Sequence, residues 1–263
     1  MRFTKMHGLG NDYLYVYGAV PPNVSELSQK LYDRHFGEGS DGMIYICPSA
    51  VADFQMRIFN ADGSEAKMCG NGIRCVGKYV YDKGYTDKTT LNIETGSGIR
   101  RLNLQILGGK VRSVSVEMGK ATPDKDKIID VEGRKIVCTP VDVGNPHAVI
   151  FVDNIENAPL TPIGPKIEKH PAFPGGVNVE FAQVLSPVKI RMRVWERGSG
   201  VTMACGTGAC ASAAAAVYKG FCNRNDPIAV ELDGGTLAIE IDQYNDVTMT
   251  GPAATVYEGD VAI

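Results

Sequence analysis

The chain has 263 residues, 22% charged and 44% hydrophobic, with a formal net charge of −3; these are the proportions of a soluble globular protein, long enough for one large domain or two ordinary ones. Nucleic acid and acidic membrane surfaces are excluded as main partners, since both demand concentrated positive charge. No run of 18 apolar residues is present to span a bilayer.

The N-terminal MRFTKMHGLGNDY lacks the apolar core of a signal peptide, so a cytoplasmic location is expected. The seven cysteines are then expected to be thiols and not a disulfide framework. In chain order, alternating or apolar runs predict strands over 13–20, 41–47, 53–60, 90–95, 101–107 and 111–118. Further strands follow over 147–153, 177–185, 189–196 and 236–242. Helices are few. One is predicted over 25–35 with Ser25 as its N-cap, and one follows each of Cys69 and Cys205. The second of these carries no charge from Cys205 to Tyr218, the signature of a helix buried on all sides. The polar stretch 123–135 opens the second half, and the final strand, ATVYEGDVAI, is expected to return to the first.

Two stretches repeat without a gap. Residues 56–85 slide onto 192–221 with Met56/Met192, Arg57/Arg193, Cys69/Cys205, Gly70/Gly206, Gly72/Gly208, Lys83/Lys219 and Gly84/Gly220 identical. The following IETGSG (93–98) resembles VELDGG (230–235), and Gly10-Asn11 is echoed by Gly144-Asn145. Self-similarity at this distance means a duplicated domain and not a solenoid. The expected fold is α/β (α+β): two pseudo-symmetric domains, each a curled mixed sheet around a central helix, with the active site in the cleft between them. The expected boundaries are 1–117 with a C-terminal strand about 251–263, and 118–250.

Each repeated cysteine sits where a Gly-rich turn enters a helix. A helix start offers unpaired N–H groups and partial positive charge, which suit a carboxylate. The same field lowers a thiol's pKa and favours thiolate. Two such sites related by an internal duplication suggest inversion by two bases: one thiolate removes a proton from a carbon while the other thiol delivers one to the opposite face. The competing structural reading is that both are packed cysteines inherited through the duplication, since Cys is among the most buried residue types. Gly70/Gly206 and Gly72/Gly208 weigh against it, because they preserve a backbone shape while other core positions have changed.

Other chemistries fit less well. GTGACA (206–211) matches a dinucleotide-loop pattern, but Cys precedes it where a strand should, and no βαβ unit surrounds it. A zinc site is disfavoured because the four histidines are scattered and a helix turns Cys210 away from Cys205. Cys47, Cys138 and Cys222 read as packing.

With these residues in hand, the chain resembles the diaminopimelate epimerase family end to end. The resemblance rests on KMHGLGNDY (5–13), NADGSEAKMCGNGIRC (60–75), VGNPHAV (143–149), GVNVEF (176–181) and ERGSGVTMACGTGA (196–209). It implies a cofactor-independent isomerase that interconverts LL- and meso-diaminopimelate in lysine and peptidoglycan precursor synthesis. No metal and no pyridoxal phosphate are implied. By the same resemblance, Cys69 and Cys205 are the acid/base pair, and His147 and Glu196 tune them. Gly70, Asn71, Gly206 and Thr207 would hold the α-carboxylate. Asn11, Asn60, Asn145, Asn178, Glu196 and Arg197 would bind the rest of the substrate. The family is typically homodimeric, with Tyr257 matching an interface tyrosine. Two departures stand out: Asp41-Gly42 where some members have Asp-Gln, and Tyr13 where Phe is usual, the latter expected to alter packing only. A proline or hydroxyproline racemase on the same fold, and a thiol-redox switch built on Cys69 and Cys205, are the alternative readings.

Overall fold

Short strands joined by tight turns account for most of the chain, and two parallel crossovers recur in the same places. The computed structural model describes residues 1–262. The chain divides into two units, Met1–Val116 with Gly251–Ile263, and Glu117–Thr250.

The first unit contains β1 (Arg2–Gly8), β2 (Asn11–Tyr17), α1 (Val24–Leu31), β3 (Gly42–Cys47), β4 (Phe54–Asn60) and β5 (Glu65–Ala66). It continues with α2 (Gly70–Asp82), β6 (Thr90–Thr95), β7 (Gly98–Leu107) and the start of β8 (Lys110–Lys120). β1 pairs antiparallel with β2; β2 runs parallel to β3 across α1; β3 pairs antiparallel with β4; and β4 runs parallel to β6 across α2. β6, β7 and β8 close the sheet as antiparallel neighbours. The period of two sorts the side chains between the two helices. Leu14 and Val16 pack with Val24, Leu27 and Leu31 of α1. Tyr15 faces the other way, and its hydroxyl donates to Gly72 O at the start of α2. On that face Gly77 of α2 lies so close to Leu102 and Leu104 of β7 that a Cβ would meet their methyls at 3.0 and 2.9 Å.

The second unit contains β9 (Thr122–Pro123), β10 (Lys127–Val131), β11 (Arg134–Asp142), β12 (Pro146–Phe151), α3 (Leu160–Glu168) and β13 (Asn178–Ser186). It continues with β14 (Lys189–Glu196), β15 (Gly200–Val201), α4 (Gly206–Tyr218), β16 (Ile228–Leu232), β17 (Gly235–Ile241) and β18 (Asp246–Pro252). β12 and β13 are parallel across α3, β14 and β16 are parallel across α4, and the remaining neighbours are antiparallel, so the order repeats that of the first unit. Ile163 and Ile167 of α3 pack with Ala148, Ile150, Val179 and Phe181. α4 is buried from Gly206 to Val217, with only Thr207 partly exposed, as its uncharged sequence requires. The last strand, β19 (Ala254–Asp260), pairs antiparallel with β1 and so belongs to the first unit.

Several elements depart from the sequence expectation. α1 is shorter than predicted, and Ser25 does not cap it: Asn23 holds the N-cap position, and Ser25 Oγ instead donates to Gly63 O at 2.9 Å. The polar stretch that opens the second half forms the hairpin β10–β11, turning at Glu132 and Gly133, both at positive φ. Its charges fall outward while Ile129 and Val131 are buried. β1, β18 and α3 were not anticipated at all. Cys47, Cys138 and Cys222 are buried, consistent with packing.

Candidate active site

The repeated Cys-Gly-x-Gly has one local structure in both units, built around the cysteine itself. Cys69 and Cys205 are the N-cap residues of α2 and α4, extended at φ −139° and −122°. Each sulfur accepts the N–H three residues on: Gly72 N to Cys69 Sγ at 3.3 Å, and Gly208 N to Cys205 Sγ at 3.4 Å. Each carbonyl accepts the next one, from Ile73 and Ala209. Cysteine thus takes the place that Ser, Thr, Asp or Asn usually holds at a helix start. The glycines at the third helical position lie directly against neighbouring side chains. A Cβ on Gly72 would lie 2.6 Å from Ile44 Cδ1, and one on Gly208 would lie 2.7 Å from Glu180 Oε1.

In the first unit, the two-residue hairpin turn Leu9-Gly10, with both residues at positive φ, delivers Asn11 to Cys69. The Cys69 thiol donates to Asn11 Oδ1 at 3.3 Å, while Asn11 Nδ2 donates to Asp41 Oδ2 at 2.8 Å. Arg34 bonds both Asp41 and Asp12, and Lys5 pairs with Asp12 at 3.0 Å. Burial pushes the Asp41 carboxyl up, while its hydrogen bonds from Asn11 and the Asp12 amide pull it down. Asn60 ends β4 opposite Gly42, and its amide donates to Ser64 Oγ at 3.1 Å. Asn71 is buried, and its Oδ1 accepts from Arg74 Nη2 at 3.0 Å, so a structural partner already engages the side chain expected on substrate. Arg74 was missed by the sequence reading. It is fully buried, and it also donates to Gly70 O and Pro252 O. Gly8 makes room for it: a Cβ there would meet Arg74 Nη2 at 2.9 Å.

Tyr13 is buried next to this site. It shares the β2 face of Asn11 and Tyr15, and its phenol is held well above the ordinary range, chiefly by burial and next by charge at Cys69.

In the second unit, a line of polar contacts leads to Cys205. Thr207 Oγ1 lies 3.6 Å from Cys205 Sγ; Asn145 Nδ2 donates to Thr207 Oγ1 at 3.4 Å; His147 Nε2 lies 3.0 Å from Asn145 Oδ1; and His147 Nδ1 lies 2.7 Å from Glu180 Oε1. Glu196 accepts a short hydrogen bond from Thr202 Oγ1, and burial raises its carboxyl, opposed by Thr202 and by Cys205 itself. Asn178 is fixed by Pro146 O and by the Arg197 amide, and the Arg197 guanidinium is exposed, donating to Gly175 O. Cys205 departs from the expectation of a lowered thiol pKa. Burial pushes it well up, and the charges of Glu196 and Glu180 push it further. Tyr257 lies on exposed β19, its hydroxyl donating to Glu38 Oε2 at 3.1 Å and its ring edge-on to Phe3.

Comparison with known proteins places these residues in a wider context. The family model described as diaminopimelate epimerase matches residues 3–123 and 139–256. A diaminopimelate epimerase of Acetivibrio thermocellus is 50% identical, covering 99% of this chain and 98% of its own. One of Methanococcus maripaludis is 50% identical over the full length of both chains. A crystal structure of a probable proline racemase from Agrobacterium radiobacter K84 covers 100% of this chain and 93% of its own, with a TM-score of 0.76. At 19% identity that likeness concerns the fold alone.

Proposed function

The chain belongs to the diaminopimelate epimerase family, and we propose that Cys69 and Cys205 are the two proton-transfer groups of its reaction, acting on opposite faces of one α-carbon. The observation that carries this reading is their equivalence: two thiols hold the same capping position on helices of the same length, in units of the same strand order.

A base must take the α-proton while the negative charge it leaves spreads into the adjoining carboxylate. The first-turn N–H groups at Gly70 and Asn71, and at Gly206 and Thr207, together with both helix dipoles, suit that charge in preorganised form. No pyridoxal sink is needed for such a scheme. The second thiol then donates its proton to the far face. The centre is inverted, one proton has left the carbon and one has arrived, and thiol and thiolate have exchanged places for the reverse direction.

Burial and two neighbouring carboxylates favour the protonated form of Cys205. At Cys69 the thiol donates to Asn11 Oδ1. Asn145, Asn178, Asn60 and Arg197 supply amides and a guanidinium for the ammonium and carboxylate groups of a substrate with two amino-acid ends.

Proton NMR of meso-diaminopimelate with the reduced protein in D2O tests this directly. Loss of the α-proton signal is expected with the wild type, and both Cys69→Ala and Cys205→Ala should abolish epimerisation. Exchange on L-proline in place of diaminopimelate would overturn the substrate, and turnover surviving either substitution would overturn the two-thiol scheme.

A further inference from the structure

Glu180 has no place in the sequence expectations, yet it is fully buried beside the capping turn of Cys205. It lies on β13, where residues 177–182 read VNVEFA and burial is complete on both faces of the strand. A carboxylate in such a place needs a partner, since an isolated buried charge is costly. One oxygen has one: Oε1 lies 2.7 Å from His147 Nδ1, and both side chains are fully buried. The other, Oε2, has no hydrogen-bond partner among the described residues. A carboxylate retained in the core with one oxygen unsatisfied is a poor device for stability alone, because apolar replacements of similar volume are often neutral or better.

We propose that Glu180 is a positioning residue for Cys205, acting through His147, Asn145 and Thr207. The contacts run in a line. Glu180 fixes the imidazole ring by Nδ1, which turns Nε2 toward Asn145 Oδ1 at 3.0 Å. That contact orients the Asn145 amide, whose nitrogen donates to Thr207 Oγ1, and Thr207 Oγ1 faces Cys205 Sγ. A carboxylate that holds one ring nitrogen of a histidine sets its ring orientation, a role familiar from metal-ligating histidines. Glu180 also lies beneath the capping turn: its Oε1 occupies the space over the Gly208 α-carbon, whose amide bonds the sulfur. Its negative charge, with that of Glu196, favours the protonated form of Cys205. The titratable groups facing Cys205 within this unit are therefore Glu180 on β13 and Glu196 at the end of β14, with His147 on β12 acting on Glu196 in turn.

This role rests on Cys205 being a proton-transfer group, so the test must separate the two ideas. Three variants are compared by steady-state kinetics across pH in the direction where Cys205 donates its proton: Cys205→Ala, Glu180→Gln and Glu180→Leu. Glu180→Gln keeps the shape and a hydrogen bond to His147 but removes the charge; Glu180→Leu removes both. The expected result is a fall in kcat on the order of 10–100-fold for Glu180→Leu, with KM changed much less, and a smaller fall for Glu180→Gln. In Glu180→Gln the alkaline limb of kcat should move to lower pH, because the carboxylate that disfavours the Cys205 thiolate is gone. A purely structural role would leave that limb in place. If Glu180→Leu does not fold, the kcat and alkaline limb of Glu180→Gln decide alone. Wild-type kcat and an unmoved limb in Glu180→Gln, with Cys205→Ala inactive, would overturn the positioning role and leave the two-thiol scheme standing. An active Cys205→Ala would overturn both.

Discussion

Gly42 shows how one residue can mark a departure from the family pattern and explain it. Its φ is +148°, and a Cβ built there would lie 2.2 Å from Phe59 O across the β3–β4 ladder. Glutamine, which some relatives are expected to carry here, cannot enter this backbone without moving a carbonyl of the neighbouring strand. Gly42 follows Asp41, which orients Asn11 against Cys69, so the strand edge and the thiol are linked through two residues. Gly42→Ala should therefore lower stability by roughly 2–4 kcal/mol, combining a left-handed backbone cost with a backbone clash. Thermal unfolding of the variant checks this, and a melting temperature within 1 °C of wild type (about 0.5 kcal/mol at most) would refute it. Cys205 carries the second residue-scale lesson. The helix start is worth only about 0.3–1 kcal/mol to an anion at its end, whereas burial can shift a pKa by up to about 3–5 units. Desolvation wins there, and two carboxylates reinforce it.

At the scale of elements, α2 and α4 are matched at both ends. Lys83 and Lys219 hold the C-cap positions, followed by Gly84 and Gly220 at φ +75° and +72°. Tyr85 N bonds Val80 O and Phe221 N bonds Ala216 O, while the glycine amides bond Tyr81 O and Val217 O, which is the Schellman closure. The repeated Lys-Gly-aromatic in the sequence is thus a helix stop written twice. A Cβ on either glycine would meet nothing within 4 Å, so Gly84→Ala and Gly220→Ala should cost only the left-handed backbone penalty, about 1–2 kcal/mol each. Urea unfolding should show that loss with epimerisation unchanged; a cost above about 3 kcal/mol would mean the turns carry more than a cap. The helices after the cysteines, the strands beside them and the cysteine pair itself could all be read from the repeat. α3 could not, because Pro162, Gly164 and Pro165 suppress its helical signal. The duplication still held a clue, since parallel β12 and β13 need a crossover just as β2 and β3 do across α1. The β10–β11 hairpin hid behind its charges, which face outward from a two-residue turn. Glu180 hid for the opposite reason, inside a run that reads as apolar. Its one legible signal is the period of two, which places it on the same strand face as Asn178.

At the scale of the whole molecule, the cysteines that do no chemistry couple stability to alkaline pH. Burial holds the thiols of Cys75, Cys138 and Cys222 up to about 11, against an ordinary value of 9.0. Between those values the unfolded chain has lost these protons and the folded chain has kept them. The unfolded state then binds fewer protons, so stability is fully present below about pH 9 and falls as pH rises toward 11. Each group contributes at most about 1.4 kcal/mol per pH unit in that window. Three together approach 4 kcal/mol per unit, a large fraction of the 5–15 kcal/mol typical of a folded domain. Tyr13 and Tyr15, both raised well above 10 by burial, steepen the loss further at its upper end. Denaturant midpoints measured from pH 7 to 10.5 should hold level and then decline from near pH 9. Cys138→Ala should flatten that decline by about one proton's worth of slope, even though the substitution itself lowers stability at neutral pH. A stability that stays level to pH 10.5 would mean that these thiols ionise in the folded state, in spite of their burial.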